Sequence, residues 1–231
     1  MGWSYGSSTH RVQSWARFLL LTFGCGLAVV AAQMRPADAA DDPVRIVALG
    51  DSLSAGFGLP ANEAFPAKLQ AALAAKGVEA SVTNAGVSGD TATDGLARLD
   101  WSVPEGTDAV IVEFGANDAL RGLDPTLTRK ALQAIVERLK RRGIAVLLCG
   151  MLAPRNLGED YGRSFDAIYP SLATQEGVLL YPFFLDGVAT DPALNQPDGL
   201  HPVAAGVDAI VARILPKVEE LIGQVRAKSR S

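Results

Sequence analysis

Cysteine is almost absent from this 231-residue chain, which holds only Cys25 and Cys149, and that scarcity excludes a small disulfide-built scaffold. Histidine is as scarce, at positions 10 and 201 only. A metal centre built on imidazole and thiolate has almost no ligands to draw on. Aromatic residues make up 6% of the chain and do not interleave with any basic patch. With a formal net charge of −4, nucleic acid is not an expected partner. Long apolar runs are missing as well, with one exception: Phe18 to Ala32. That run falls short of the roughly 20 residues a helix needs to cross a bilayer. What remains is 48% hydrophobic and 20% charged, the balance of a folded globular protein, in a length that one domain with a full core accommodates.

The exceptional run has a context. Arg11 and Arg17 precede it, and Ala37-Asp38-Ala39 follows as a small-x-small pattern. Basic start, short apolar centre and small-residue exit predict an export signal over residues 1–39, cleaved after Ala39, and an exported protein, periplasmic or secreted. An uncleaved anchor is the alternative, but no second apolar segment supports it. No stable membrane span is expected after processing. Cys149 is then the one remaining thiol; it lies in an apolar run and reads as packing.

From Val44 onward, short apolar runs alternate with longer helical patterns. The runs Val44–Leu49, Val78–Thr83, Ala109–Phe114, Ile144–Cys149 and Val178–Tyr181 predict five strands. Helices are predicted over Phe65–Ala75, Thr91–Trp101, Thr126–Arg142 and Phe165–Gln175, with a last helix opened by His201-Pro202. The stripe of the longest is expected to include Leu127, Ala131, Ala134, Ile135 and Leu139. Residues after Gly223 read as a frayed tail. Strands apolar on both faces, each followed by a helix, define an α/β fold with a parallel sheet covered on both sides. Right-handed crossovers then place every strand's C-terminus on one rim, where ligands bind.

Three polar motifs follow strands directly: Gly50-Asp51-Ser52-Leu53, Asn84-Ala85-Gly86 and Gly115-Ala116-Asn117-Asp118. A fourth, Asp198-Gly199-Leu200-His201, precedes the last helix. His201 is the only imidazole outside the signal, and Asp198 lies three residues before it on a glycine turn. A carboxylate at that reach fixes one ring nitrogen and leaves the other to accept a proton from an alcohol. Alone, such a motif reads more readily as a turn before a helix than as chemistry. Ser52 changes the balance, because Gly50 and Gly56 let the backbone turn sharply behind it, and no lysine is present to make the turn a phosphate loop. Candidate oxyanion donors are the N–H groups of Ser52 and Gly86 and the side-chain amide of Asn117. Turn glycine and helix-capping asparagine are the plain alternatives for Gly86 and Asn117. Asp51 and Asp118 read as braces for the rim loops, and no metal is expected.

Taken together, GDSLS from Gly50, NAGVSGDT from Asn84, GAND from Gly115 and DGLH from Asp198 resemble the SGNH (GDSL) hydrolase family, in its thioesterase, lysophospholipase and arylesterase branch. The resemblance covers residues 44 to 222. It implies a three-layer α/β/α sandwich with a five-stranded parallel sheet, of flavodoxin-like type, in a single domain over 40–231. It also implies Ser52 as nucleophile, Asp198 and His201 as the rest of the triad, Gly86 and Asn117 as oxyanion donors, and no cofactor. The expected activity is hydrolysis of short- to medium-chain carboxylic esters or thioesters by a monomer acting on a small-molecule substrate. A carbohydrate acetylesterase on the same fold and a non-catalytic exported binding protein are the alternatives. Leu152 and Leu157, with Phe184 or Leu185, are expected to line an acyl channel, and Met151 to pack in the core.

Overall fold

The run Val44–Gly50, which is β1, is buried except at Arg45. It is an inner strand of a sheet with β2 (Ala80–Gly86), β3 (Ala109–Glu113), β4 (Ala145–Cys149) and β5 (Leu179–Tyr181). A computed structural model describes residues 1–4 and 42–230. Apart from its first four residues, the expected export signal lies outside the described residues. Asp42–Ser231 forms one compact unit, and the sheet and the site both belong to it.

All neighbouring strands pair in parallel, in the order β2-β1-β3-β4-β5. The helices are α1 (Ser52–Ala55), α2 (Phe65–Ala75), α3 (Ala92–Ala97), α4 (Leu99–Ser102), α5 (Ala116–Leu120), α6 (Pro125–Arg141), α7 (Glu159–Asp166), α8 (Ile168–Glu176) and α9 (Ala204–Ser229). One layer pairs α2 with α9, and the other sets α6 against α3 and α8. Val110, Ile111 and Val112 of β3 have no exposed surface, as a central strand covered on both faces requires. The expected three-layer α/β/α sandwich with five parallel strands is the fold observed. Its strand order reverses direction between β1 and β3, and the crevice at such a switch point is where open α/β sheets bind ligands.

Several boundaries differ from expectation. β2 begins at Ala80 and runs through the Asn84-Ala85-Gly86 motif, because full register with β1 pairs Val44 with Ala80 and Gly50 with Gly86. Val78 instead closes α2, its N–H donating to the Leu73 carbonyl. The helix expected over Thr91–Trp101 divides at Arg98 into α3 and α4. The helix expected from Phe165 begins at Glu159 and divides at Ala167. On α6, Leu127 is exposed, and Leu132 and Val136 share the buried stripe with Ala131, Ile135 and Leu139. Truncating one of these buried leucines or isoleucines to Ala costs about 2–5 kcal/mol. α9 starts at Ala204, since Pro202 is engaged in a bridge with Asn195. Past Gly223 it does not fray but continues to Ser229.

Candidate active site

Strand β1 delivers its last residue, Gly50, into a sharp turn that becomes α1. Asp51 caps this helix, its Oδ1 accepting from the Leu53 N–H at 2.9 Å. The helix ends after four residues at Gly56, whose φ of +83° suits a residue without a side chain. Ser52 is therefore the first residue of a helix that sits on the sheet's C-terminal rim. Its N–H belongs to the first turn, where no intrahelical acceptor exists.

The turn Asp198–His201 meets Ser52 from the other end of the chain. His201 Nε2 lies 2.9 Å from Ser52 Oγ, and His201 Nδ1 lies 2.7 Å from Asp198 Oδ2. The second carboxylate oxygen of Asp198 accepts from the N–H groups of Leu200 and His201, at 2.9 and 3.0 Å. These donors, the imidazole first among them, lower the Asp198 pKa to about 2. Gly199, at φ +69°, permits the turn.

A seam holds this turn against the start of the chain. Gln196 donates its N–H to the His201 carbonyl and its Nε2 to the Phe57 carbonyl, both at 2.7 Å. A Cβ on Gly58 would lie 2.5 Å from Gln196 Oε1, so the glycine is what lets the two loops close. The Phe57 ring stands 4.5 Å from the imidazole at 37°.

Asn117 enters from the start of α5. Its Nδ2 donates to Asp51 Oδ2 at 3.2 Å and to the Asp90 carbonyl at 3.0 Å. Ser52, Asn117 and His201 all line one cleft of about 670 Å³, whose other walls include Leu120, Met151, Leu152, Phe183 and Leu185. Gly86 is not among the lining residues. Its N–H donates to Asn84 Oδ1 at 2.9 Å, and a Cβ there would collide with the Ala55 backbone. Gly86 is thus required for the close approach of β2 to α1.

The expected acyl channel needs two corrections. Leu157 sits on the 3-10 turn Arg155–Leu157, outside the cleft lining. Phe184 points into the core, edge-on to Phe65 at 5.0 Å, and Phe183 lines the cleft in its place. Leu152 and Leu185 line it as anticipated. Met151 is buried, yet it also reaches the cleft wall.

Asp51 and Asp118 brace the rim as anticipated. Asp118 accepts from the Ala92 N–H at 3.0 Å and from Thr128 Oγ1 at 2.8 Å. A third brace, Arg98, emerges only in the structure. Almost fully buried, it pairs with Asp90 at 2.6 Å and donates to the carbonyls of Ala85 and Gly50 and to Ser102 Oγ. Its only sequence signal is a charged residue inside the apolar pattern of GLARL. Among the described residues, no cluster of His, Cys, Asp and Glu is placed to hold a metal ion.

An alcohol, an imidazole and a carboxylate in one hydrogen-bonded line, on the ligand-binding rim of an α/β sandwich, is the arrangement of a serine hydrolase. Known proteins point the same way. The sequence profile of the GDSL-like Lipase/Acylhydrolase family matches residues 48–209, and the chain belongs to that family. It is 36% identical to the esterase TesA of Pseudomonas aeruginosa over 88% of this chain and 98% of the relative. It is 42% identical to the thioesterase 1/protease 1/lysophospholipase L1 of Escherichia coli, over 68% and 74% of the two chains. The crystal structure of AlinE4, an SGNH-hydrolase family esterase, superposes with a TM-score of 0.66 at 47% identity, over 78% of this chain and 96% of that one. The protein is a serine esterase of this family.

Proposed function

We propose that the enzyme hydrolyses short- to medium-chain carboxylic esters or thioesters in two acyl-transfer steps through Ser52. The observation that carries this reading is the Ser52–His201–Asp198 line opening into a cleft walled mainly by aliphatic side chains. His201 Nε2 takes the Ser52 proton while Asp198 fixes the ring's tautomer. The alkoxide attacks the acyl carbonyl, and the developing oxyanion is met by the Ser52 N–H, the Asn117 amide and the Gly86 N–H. His201 then protonates the departing alcohol or thiol. Water repeats the sequence and releases the acid.

The two outer donors are not equivalent. Asn117 lines the cleft, and its amide can keep the Asp90 carbonyl while turning its longer bond of 3.2 Å from Asp51 toward the oxyanion. Gly86 must give up its single bond to Asn84. Asn117 is accordingly the stronger contributor.

Each methylene of substrate buried in the cleft adds at most about 0.8 kcal/mol, or roughly fourfold in kcat/KM. Apart from the imidazole of His201, Phe183 is the one aromatic ring in the lining, a poor platform for a sugar, which favours alkyl chains over carbohydrate acetates. The basic start and short apolar run before Ala39 support export, and we take the enzyme to act as a monomer. A fluorophosphonate probe should label one peptide, the one containing Ser52, and p-nitrophenyl esters should improve from acetyl to medium chains and then level off. Labelling that survives Ser52→Ala would remove the nucleophile assignment. A strong preference for acetylated xylan would replace the substrate class.

A further inference from the structure

The sheet ends at its C-terminal rim in one row of residues in register: Gly86, Gly50, Glu113, Cys149 and Tyr181, one from each strand. Paired residues of neighbouring strands point to the same face, so the single carboxyl of this row stands between bare glycine backbone and a thiol. Glu113 is fully buried. Every other residue of β3 is apolar, and burial alone would be served better by another aliphatic side chain there.

What Glu113 touches is the nucleophile turn. Its Oε2 accepts from Ser54 Oγ at 2.8 Å and, in a longer bond of 3.4 Å, from the Asp51 N–H. Gly50 makes the room, since a Cβ there would lie 2.6 Å from that oxygen. Other ties hold the turn at its ends, Arg98 and the Val87 N–H at the Gly50 carbonyl and Asn84 Nδ2 at the Ala55 carbonyl, whereas Glu113 reaches both sides of Ser52.

We infer that Glu113 is a positioning residue: one carboxyl oxygen ties residue 51 to residue 54 across Ser52 and so sets where the Ser52 hydroxyl points. The inference rests on Ser52 being the nucleophile. Glu113 works as the neutral acid. Its Oε1 has no hydrogen-bond partner among the described residues, and a carboxylate would leave that charge bare in the interior. The groups facing it are Asp51 and Ser54 from the turn, Cys149 from β4 and Tyr169 from α8, none of them a cation. Burial, with the Asp51 charge added, pushes Glu113 well above the ordinary carboxylate range. Asp51 is raised to about 6 by burial, but it has a donor on each oxygen, Leu53 N–H and Asn117 Nδ2. Of the two, Asp51 is the one that carries the negative charge.

The test uses Glu113→Gln, which keeps a neutral acceptor of the same shape, and Glu113→Leu, which keeps volume and removes the acceptor. A shift of about 1 Å at a reacting group costs on the order of 10²-fold. Glu113→Leu should therefore lower kcat about 10- to 100-fold with KM within twofold, and the rate of fluorophosphonate labelling should fall in step. Glu113→Gln should stay within about threefold of wild type. Folding with a raised carboxyl pKa loses stability as pH rises above the unfolded value of about 4.3. The melting temperature of Glu113→Gln should thus gain on wild type between pH 5 and 8. If Glu113→Leu does not fold, Ser54→Ala cuts the 2.8 Å tie alone and should lower kcat severalfold at unchanged KM. A folded Glu113→Leu with near wild-type kcat, or Ser54→Ala with none of this loss, reduces Glu113 to filling. A Gln variant as impaired as the Leu variant, or a melting gap flat with pH, overturns the neutral-acceptor role. Failure of the nucleophile reading appears separately, as wild-type labelling at a residue other than Ser52.

Discussion

Replacing Arg98 by methionine should unfold the enzyme sooner and slow what remains folded. The guanidinium is 8% exposed and its partner Asp90 15%, so solvent screens the pair little. Besides Asp90 it serves the Ala85 and Gly50 carbonyls and Ser102 Oγ at 2.8–3.0 Å, and it lies 5.7 Å from the centre of the Phe114 ring. Methionine preserves much of the stem's packing but removes a donor from a buried carboxylate and from two carbonyls, of which Gly50's keeps the Val87 N–H. Breaking a buried pair from one side costs about 3–5 kcal/mol. A domain of this size loses roughly 2–4 °C for each kcal/mol, so the melting temperature should fall by roughly 6–20 °C, read by circular dichroism at one pH and salt concentration. Lysine in the same place keeps the charge but not the fork and should recover only part of the loss. The Asp90 carbonyl also receives Asn117, so kcat should drop with KM little changed. A methionine variant melting within about 3 °C of wild type would show that the loop is held by something other than Arg98.

Asn117→Ala should lower kcat by about 10² to 10³ with a smaller effect on KM; a folded variant with wild-type kcat would leave Asn117 with only its structural bonds to Asp51 and Asp90. Asp198→Asn should reduce kcat by about 10³ to 10⁴ without loss of fold, measured beside the far-ultraviolet spectrum. Because the Asp198 pKa is depressed to about 2, its contribution is complete above the ordinary carboxylate range and disappears only as pH falls through about 2. Activity lost reversibly between pH 7 and pH 4 therefore comes from other groups, and an inflection assigned to Asp198 by isotope-edited infrared spectroscopy near pH 4 would contradict this. Phe57→Leu should lower kcat severalfold, since the ring packs 4.5 Å from the imidazole and helps hold it against Ser52, whereas Phe57→Tyr should not.

Strands β1, β3 and β4 were legible because they are nearly unbroken apolar runs, a pattern that the burial of both faces dictates, whereas the start of the edge strand β2, polar in part and half open to solvent, was not. The Ser52–His201–Asp198 line was legible for a different reason. A chain with one histidine beyond residue 10 leaves a single choice of base, and Asp198 lies within one turn of it. The surroundings of the proposed oxyanion donors were only half legible, because sequence shows that Gly86 ends near the rim but not that its N–H turns to Asn84. Phe183 and Phe184 illustrate another limit. They are adjacent and chemically identical, and only the path of the chain after β5 decides which one meets the cleft. Arg98 and Glu113 escaped because their meaning lies in partners far along the chain: Gly50 for the first, Asp51 and Ser54 for the second. A charged residue interrupting an otherwise apolar pattern was the visible sign of both.

The seam between Gln196 and Phe57 has a bearing on how this enzyme wears out. Asp198 and His201, the proposed acid and base, ride together on one short turn, whereas Ser52, the proposed nucleophile, sits 149 residues away from His201 on the rim of the sheet. Their alignment depends on two surface loops staying latched by one side-chain amide and one missing methyl group at Gly58. Heat or a denaturant reaches that latch before it reaches the interior. Turnover should consequently fade while the spectroscopic signature of the sheet is intact, and an engineer seeking durability has more to gain from fastening this latch than from enlarging the core.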